Sequence, residues 1–352
     1  MKIILFSYGL VGGGAERIAC VICNGLVDRG HNVCIVAHKD IPSAYHLSPD
    51  IKQLYYDANS NDSPLIRRWK ILRSIRRIVK KENPDVVIGL MRIFTEYLYV
   101  ATIGLHQKII AWDHSSCRFG DLEWEAFIRK YFMYALMKRV FVLTEEDKRN
   151  VWYKHNIRVM PNALSFSPAI EYPSHKEKVI IGVGNFNNWR DKGFDLLVEA
   201  WSLIEKTYPE WKLKIIGGGD KTTIEQLIVD KGLHGRVFLA DFETDIKKVY
   251  HESSIFVLSS RQEGFSLVML EAMSQGCACV ACDNHNRTKE ILGNTGIIYS
   301  TGDTKDMAEK ISFLLGNQKL IIDMGKLSIE RSKHYSIDSI LDKWEAELNN
   351  LV

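Results

Sequence analysis

Two carboxylates separated by seven residues, Glu263 and Glu271, stand in the stretch Ser259 to Asp283, SSRQEGFSLVMLEAMSQGCACVACD. Their surroundings do not favour charge. Leu267, Val268, Met269, Leu270, Ala272 and Met273 make a helix that is apolar nearly all round, and such a helix is buried. A carboxylate inside it costs free energy unless something hydrogen-bonds it. Ser266 can cap this helix, which runs to about Gln275 where Gly276 ends it. A ligand bearing hydroxyls and phosphate, held at the helix N-terminus where the dipole favours anions, would supply the partner. The alternative is structural: Glu271 caps a neighbouring strand and Glu263 is a solvated loop charge.

Two glycine loops offer phosphate chemistry. Gly12-Gly13-Gly14-Ala15-Glu16-Arg17 follows a strand and opens a helix, so backbone amides can approach a phosphate there. It lacks the full G-x-G-x-x-G spacing, and a tight turn without a ligand fits it equally. The second loop runs from Gly182-Val183-Gly184-Asn185 to Lys192-Gly193-Phe194-Asp195 and carries two cations, Arg190 and Lys192. For Arg190 the alternative is a solvated loop charge. Trp112-Asp113-His114-Ser115 closes a further strand. His114 can donate to a hydroxyl or help position an acceptor, although a lone histidine is often structural.

Leu65 to Lys81, LIRRWKILRSIRRIVKK, holds eight Lys or Arg and no acid. A helical wheel puts Arg67, Lys70, Arg73, Arg77, Lys80 and Lys81 on one side. Leu65, Trp69, Ile71, Leu72, Ile75, Ile78 and Val79 fall on the other. Such a helix is either an ordinary half-buried crossover with a solvated basic face or a contact for anionic lipid headgroups or an acceptor pyrophosphate. Aromatic residues are too sparse in it for nucleic acid.

The elements that must hold these residues alternate along the chain. Strands are expected at Lys2 to Tyr8, Asn32 to Ala37, Asp85 to Leu90, Lys108 to Trp112, Arg139 to Leu143 and Arg158 to Met160, with a helix from Ala15 to Arg29. Residues 161 to 177 hold three prolines and little periodicity, the best linker candidate. Alternation restarts with strands at Val179 to Val183, Leu213 to Gly217, Val237 to Ala240, Ser254 to Leu258, Cys277 to Ala281 and Gly296 to Tyr299. Helices at Asp195 to Tyr208 and Thr222 to Lys231 lie between them. An amphipathic helix from Ser336 to Val352 ends the chain. The pattern is α/β with doubly wound parallel sheets.

At 352 residues the chain is long enough for two domains, and with 46% hydrophobic and 25% charged residues it is globular. A net charge of +3 gives no global case for nucleic acid. No apolar run reaches the roughly 18 residues of a spanning helix. The N-terminus reads as a strand too brief for a signal peptide. The seven cysteines, Cys20, Cys23, Cys34, Cys117, Cys277, Cys279 and Cys282, point to a reducing cytoplasm. Cys20-x-x-Cys23 lies in a helical pattern and Cys279-x-x-Cys282 in a strand, where cysteine packs as a small hydrophobe.

Glu263-Gly264-Phe265, followed by Glu271-Ala272-Met273-Ser274-x-Gly276, resembles the donor-site signature of retaining GT-B glycosyltransferases, the nucleotide-sugar-dependent family 4. Gly-Gly-Ala-Glu-Arg near the N-terminus and Lys192-Gly193 are similar to the family's two phosphate loops, and the likeness covers nearly the whole chain. It implies two Rossmann-like domains facing a cleft. These are an acceptor-side domain at 1–162, a linker at 163–177, a donor-binding domain at 178–335, and a terminal helix at 336–352 that crosses back to the first domain. It implies transfer, with retention, of a hexose from a nucleotide-diphosphate sugar, a UDP-sugar being favoured. The acceptor would be a hydroxyl on a lipid-linked or cell-surface glycan precursor.

By the same likeness Glu271 binds the nucleotide ribose and Glu263 the donor sugar hydroxyls. Lys192 neutralises the leaving diphosphate, and His114 lies beside the transferring sugar. Gly13, Gly14, Gly184, Asn185, Gly264, Phe265, Ser266 and Leu267 complete the donor site. The family's Arg after the glycine is Asn185 here, so either Arg190 substitutes or the clamp lacks one cation. No Asp-x-Asp motif stands out, and neither a metal nor another cofactor is expected. The expected partners are the donor, a glycan or lipid-linked acceptor and an anionic membrane surface, with peripheral attachment on the cytoplasmic side. A nucleotide-sugar epimerase on the same scaffold, or a non-catalytic membrane-docked binding subunit, are the alternatives.

Overall fold

The apolar runs become parallel strands covered on both faces, as crossover helices require. In the computed structural model, every residue is described except 39–40, 42, 57–61, 116–131, 152–154, 244 and 352. The chain divides into two units, Met1–Ser165 with Ile337–Val352, and Phe166–Ser336.

The first unit holds strands β1 (Lys2–Phe6), β2 (Asn32–His38), β3 (Lys52–Tyr56), β4 (Val86–Leu90), β5 (Ile109–Trp112), β6 (Arg139–Val142) and β7 (Ile157–Val159). They form one sheet in the order β3-β2-β1-β4-β5-β6-β7. Helices α1 (Gly14–Asp28), α2 (Pro64–Glu82), α3 (Met91–Thr102) and α4 (Glu145–Arg149) connect them. β3 is absent from the sequence reading. Its residues, KQLYY, sit at the sheet edge with only Tyr56 buried, so they carry no apolar run to announce a strand.

Helix α2 corrects the helical-wheel reading. It packs on α3 through Ile71, Ser74, Ile75, Ile78 and Val79. Leu65 and Trp69, expected on the covered side, are 79% and 57% exposed, and Ile66 joins them at 51%. Arg67 and Lys70, expected on the free basic side, are half-buried, and Lys70 pairs with Asp62 at 2.8 Å. The first two turns reach α3 through Arg68, whose guanidinium lies over the Tyr97 ring at 5.9 Å, and the exposed Trp69 ring is met by the Arg73 guanidinium at 5.1 Å. No helix among the described residues is long and apolar enough to cross a membrane.

The second unit holds β8 (Glu177–Val183), β9 (Lys212–Ile216), β10 (Val237–Ala240), β11 (Ser253–Leu258), β12 (Ala278–Cys282) and β13 (Gly296–Tyr299) in the order β10-β9-β8-β11-β12-β13. Its helices are α5 (Phe194–Ile204), α6 (Thr222–Asp230), α7 (Ile246–Glu252), α8 (Leu267–Ser274), α9 (Arg287–Leu292), α10 (Thr304–Leu315) and α11 (Gln318–Ser332). Each sheet reverses its strand order once, between β1 and β4 and between β8 and β11. Such reversals open a crevice at the carboxyl ends of the flanking strands, where α/β proteins bind ligands.

The last helix, α12 (Ile337–Asn349), belongs to the first unit and packs on α1. Gly25 of α1 makes room for it, since a Cβ there would overlap Leu341. Trp344 is fully buried, edge-on to both Trp112 and Phe141 at 4.8 Å between centroids. Around this wedge Arg29 pairs with Asp342 at 2.6 Å and Glu345 at 2.7 Å, and Glu347 meets Arg139 at 3.1 Å and Arg158 at 3.2 Å.

Candidate active site

In the second unit the loops leaving β8 and β11, the two strands flanking the reversal, carry Lys192 and Glu263. They meet: Lys192 Nζ donates to Glu263 Oε1 at 2.6 Å. Ser260 Oγ donates to the same oxygen at 3.0 Å, and Asn284, beyond β12, donates from Nδ2 to the Glu263 carbonyl at 2.9 Å. Both charged side chains are only partly exposed, 28% for Lys192 and 14% for Glu263. Gly184 leaves space for the lysine stem, because a Cβ there would stand 3.1 Å from the Lys192 Cγ. Gly193 is needed twice over. Its φ of +62° suits glycine, and a Cβ would overlap the Ser259 carbonyl oxygen.

The remaining residues expected at this site divide into two groups. Gly264, Phe265, Ser266 and Leu267 lead into α8, with Phe265 buried edge-on to Tyr335 at 5.9 Å, so the backbone alone of that residue is offered to a ligand. Ser266 stands at the N-cap position, yet its side chain makes no capping bond and its buried Oγ has no partner among the described residues. A buried hydroxyl left in that state is costly, and an anion at the helix start would satisfy it. Glu271 is buried on α8. Asn185 and Arg190 stand apart from the ion pair. Asn185 Oδ1 accepts from the Asn187 amide at 2.8 Å, capping a short turn, and the exposed Arg190 guanidinium lies over Trp189 at 5.1 Å.

Four residues to which the sequence reading gives no role at the site take part: Ser260, Arg261, Asp195 and Asn284. Arg261 binds the Asp195 carboxylate through two nitrogens at 2.8 and 2.7 Å. Asn284, His285 and Asn286 adopt positive φ in succession, at 45°, 57° and 65°. Asparagine tolerates that region better than most residues, which is the one local signal the sequence gives for this turn.

In the first unit Gly13 is the N-cap of α1 and Gly14 its first residue, at the β1 end of the strand reversal. A Gly13 Cβ would overlap the Glu16 carboxylate, and the Gly13 carbonyl accepts from Tyr45 Oη at 2.9 Å. His114 follows β5 and lies 4.9 Å from Trp112. Its Nε2 is buried with no partner among the described residues. Desolvation lowers its pKa to about 4, which the neighbouring Asp113 carboxylate only partly opposes. The imidazole is therefore neutral at pH 7 and can give or take one hydrogen bond through Nε2. Asp113 accepts from the Ser115 amide at 2.9 Å and from Tyr134 Oη.

On α2, Trp69, Arg73, Arg77, Lys80 and Lys81 line an open surface hollow of about 770 Å³. The six cysteines within the described residues are buried and unpaired, and burial pushes the Cys20 and Cys34 thiols up to about 11, so they pack rather than react. Cys117 lies outside the described residues. No cluster of three metal-ligating side chains occurs among the described residues.

Sequence models of two families match successive parts of the chain: Glycosyltransferase Family 4 over residues 12–166 and Glycosyl transferases group 1 over residues 177–317. An uncharacterised glycosyltransferase of Haemophilus influenzae is 26% identical, over 99% of this chain and all of that protein. A Campylobacter jejuni alpha-1,4-N-acetyl-D-galactosaminyltransferase, named for a GalNAc-GalNAc-diNAcBac-PP-undecaprenol substrate, is 23% identical over 98% of this chain and 97% of its own. HepE of Anabaena, solved with UDP and glucose, superposes with a TM-score of 0.81 over 99% of this chain and 100% of its own, at 15% identity.

Proposed function

Since the chain belongs to the group 1 glycosyltransferases of the GT-B fold, we propose that it transfers a hexose, with retention, from a UDP-sugar to an acceptor hydroxyl on a lipid-linked or cell-surface glycan precursor. The observation that carries this reading is the 2.6 Å contact between Lys192 and Glu263 at the β8–β11 reversal. One cation and one carboxylate at a crevice edge suit the two ends of a nucleotide sugar. Lys192 faces the diphosphate and Glu263 accepts from the sugar hydroxyls, each exchanging its present partner for the donor.

During transfer the bond from the anomeric carbon to the diphosphate breaks, a bond to the acceptor oxygen forms, and the acceptor's proton passes to the leaving diphosphate. Negative charge grows on the leaving diphosphate. A fixed ammonium there is worth more in the transition state than in the ground state. The Ser266 hydroxyl and the amides at the start of α8 add donors to that charge, and Glu271 binds the ribose. In the first unit, the Gly13 and Gly14 amides can meet an anion at the start of α1, and neutral His114 can donate to a sugar hydroxyl. Lys192 supplies the neutralising charge, so no metal is required and chelation with EDTA should leave turnover intact.

The acceptor reading is supported by the undecaprenol-linked substrate in the Campylobacter relative's name and by the exposed cations of α2, which suit a cytoplasmic-side membrane surface. A binding screen across UDP-, GDP- and ADP-sugars, followed by release of nucleoside diphosphate in the presence of a lipid extract, tests it. Binding of none of the three, or no release with any extract, overturns it.

A further inference from the structure

Lys192 carries a flexible four-carbon stem, so where its ammonium lies depends on how its backbone is fixed. That backbone belongs to no strand or helix. It is held by its own turn, where the Lys192 amide donates to the Asn188 carbonyl at 2.9 Å and the Gly193 amide to the Arg190 carbonyl at 3.1 Å, and by the residues that follow β11. The Arg261 amide donates to the Asp191 carbonyl at 2.8 Å, and Ser259 Oγ donates to the Lys192 carbonyl at 2.7 Å. The Arg261 guanidinium spans the segment. It donates to the Arg190 carbonyl on one side of Lys192 and grips the Asp195 carboxylate on the other at 2.8 and 2.7 Å. Two residues after Arg261 comes Glu263, the partner of Lys192.

We propose that Arg261 is a positioning residue, whose fork between Asp195 and the Arg190 carbonyl holds Lys192 in register with Glu263. The inference rests on the reading of Lys192 as the cation that meets the donor diphosphate. Geometry favours it over a simple stability role. The two charged side chains are 35% and 28% exposed, and ion pairs so open to water add little to stability. Displacing a reacting group by about 1 Å, in contrast, can cost about 100-fold in rate. Lysine cannot replace arginine here, because an ammonium has no rigid fork to reach two acceptors on opposite sides of a turn.

The test is a double-mutant cycle read by calorimetric titration with UDP, GDP and ADP in turn, with thermal unfolding of every variant. UDP is the leaving group of the proposed reaction, so its affinity reports the contact that Lys192 makes late in transfer. We expect Arg261→Gln and Arg261→Lys each to weaken the diphosphate about tenfold, with melting points within a few degrees of the parent. Lys192→Ala should weaken it by at least as much. The double variant Arg261→Gln with Lys192→Ala should bind no worse than Lys192→Ala alone, since residues acting through one another are not additive.

Parent-like affinity of Arg261→Gln, full recovery in Arg261→Lys, or multiplying losses in the double variant would each overturn the positioning role. If Arg261→Gln does not fold, Asp195→Asn removes the other half of the clasp and is read against the same outcomes. Lys192→Ala binding like the parent would instead overturn the reading of Lys192, and a parent that binds none of the three nucleotides would overturn the donor assignment.

Discussion

Trp344, eight residues from the chain end, stands edge-on to Trp112 with 75° between the ring planes, and Trp112 lies 4.9 Å from His114. The last helix thus packs directly behind the strand that presents a candidate catalytic side chain. Trp344→Ala opens a cavity among Trp112, Phe141 and Leu341. It should cost about 3–5 kcal/mol, the range for a buried aromatic. Trp344→Phe, which keeps an edge-on ring, should cost less than half of that. Urea unfolding of the two variants gives both numbers, and a loss below about 1 kcal/mol in Trp344→Ala would mean that α12 is not integral to the first unit.

Glu271→Ala should weaken nucleoside diphosphate binding by about 1.5–3 kcal/mol, the value of a hydrogen bond to a charged group. The fold should hold, because removing a buried carboxylate also removes its desolvation cost. Titration of UDP into the folded variant measures this, and unchanged affinity would remove Glu271 from the ribose site.

Lys192→Ala should lower kcat more than donor affinity, since charge on the leaving group grows as the bond breaks. Arg190→Ala should stay within about threefold of the parent. Its guanidinium rests over Trp189, and what Arg261 holds is the Arg190 backbone carbonyl, which alanine retains. A large loss in Arg190→Ala would show that this side chain swings onto the diphosphate and supplies the cation missing at Asn185.

These contrasts mark how far the sequence could be read. The alternation of apolar runs and amphipathic segments located both parallel sheets, because strands covered on two faces are apolar throughout. Lys192-Gly193 is legible through its likeness to a family phosphate loop, and the structure supplies the reason for the glycine, a positive-φ turn against the Ser259 carbonyl. Arg261 and Asp195 are 66 residues apart, and no local pattern announces that they pair. Trp69 was misassigned for a related reason. A helical wheel gives the angle of a side chain, whereas burial depends on what packs beside it.

The pH response of His114 has a definite sign. Its folded pKa of about 4 lies below the ordinary histidine value of about 6.5, so between those limits the unfolded chain binds the extra proton. Stability is therefore complete above about pH 6.5 and falls on acidification toward pH 4, by up to about 3 kcal/mol from this residue. His114→Asn should flatten the decline between pH 6.5 and 4 in urea titrations. A decline of equal slope in the variant would assign the acid sensitivity to other groups.

Helix α2 presents two kinds of surface in one exposed stripe, Ile66 and Trp69 near its start, then Arg73, Arg77 and Lys80. Two explanations compete for the cations. Lys80 and Lys81 occupy the last turn, where they favour the helix dipole by about 0.3–1 kcal/mol each whatever else they do. That account leaves Arg77 unexplained, and Arg73, over the Trp69 ring at 5.1 Å, shields only one of three exposed apolar residues, which are costly in water. An anionic bilayer accounts for both, with roughly 1 kcal/mol per cation near the headgroups and burial of the apolar end between them. The two contributions separate by salt. Charge attraction is screened over about 8 Å at physiological ionic strength, whereas apolar insertion is not. Arg73, Arg77, Lys80 and Lys81 changed together to Gln should abolish sedimentation with phosphatidylglycerol vesicles at low salt. Leu65, Ile66 and Trp69 changed to Ser should spare low-salt attachment and remove the part that survives 0.5 M NaCl. UDP binding should be unchanged in both, since neither variant alters a residue of the proposed donor site. Parent-like sedimentation of both variants would leave α2 a solvated crossover helix, and a water-soluble acceptor would then be the better assignment.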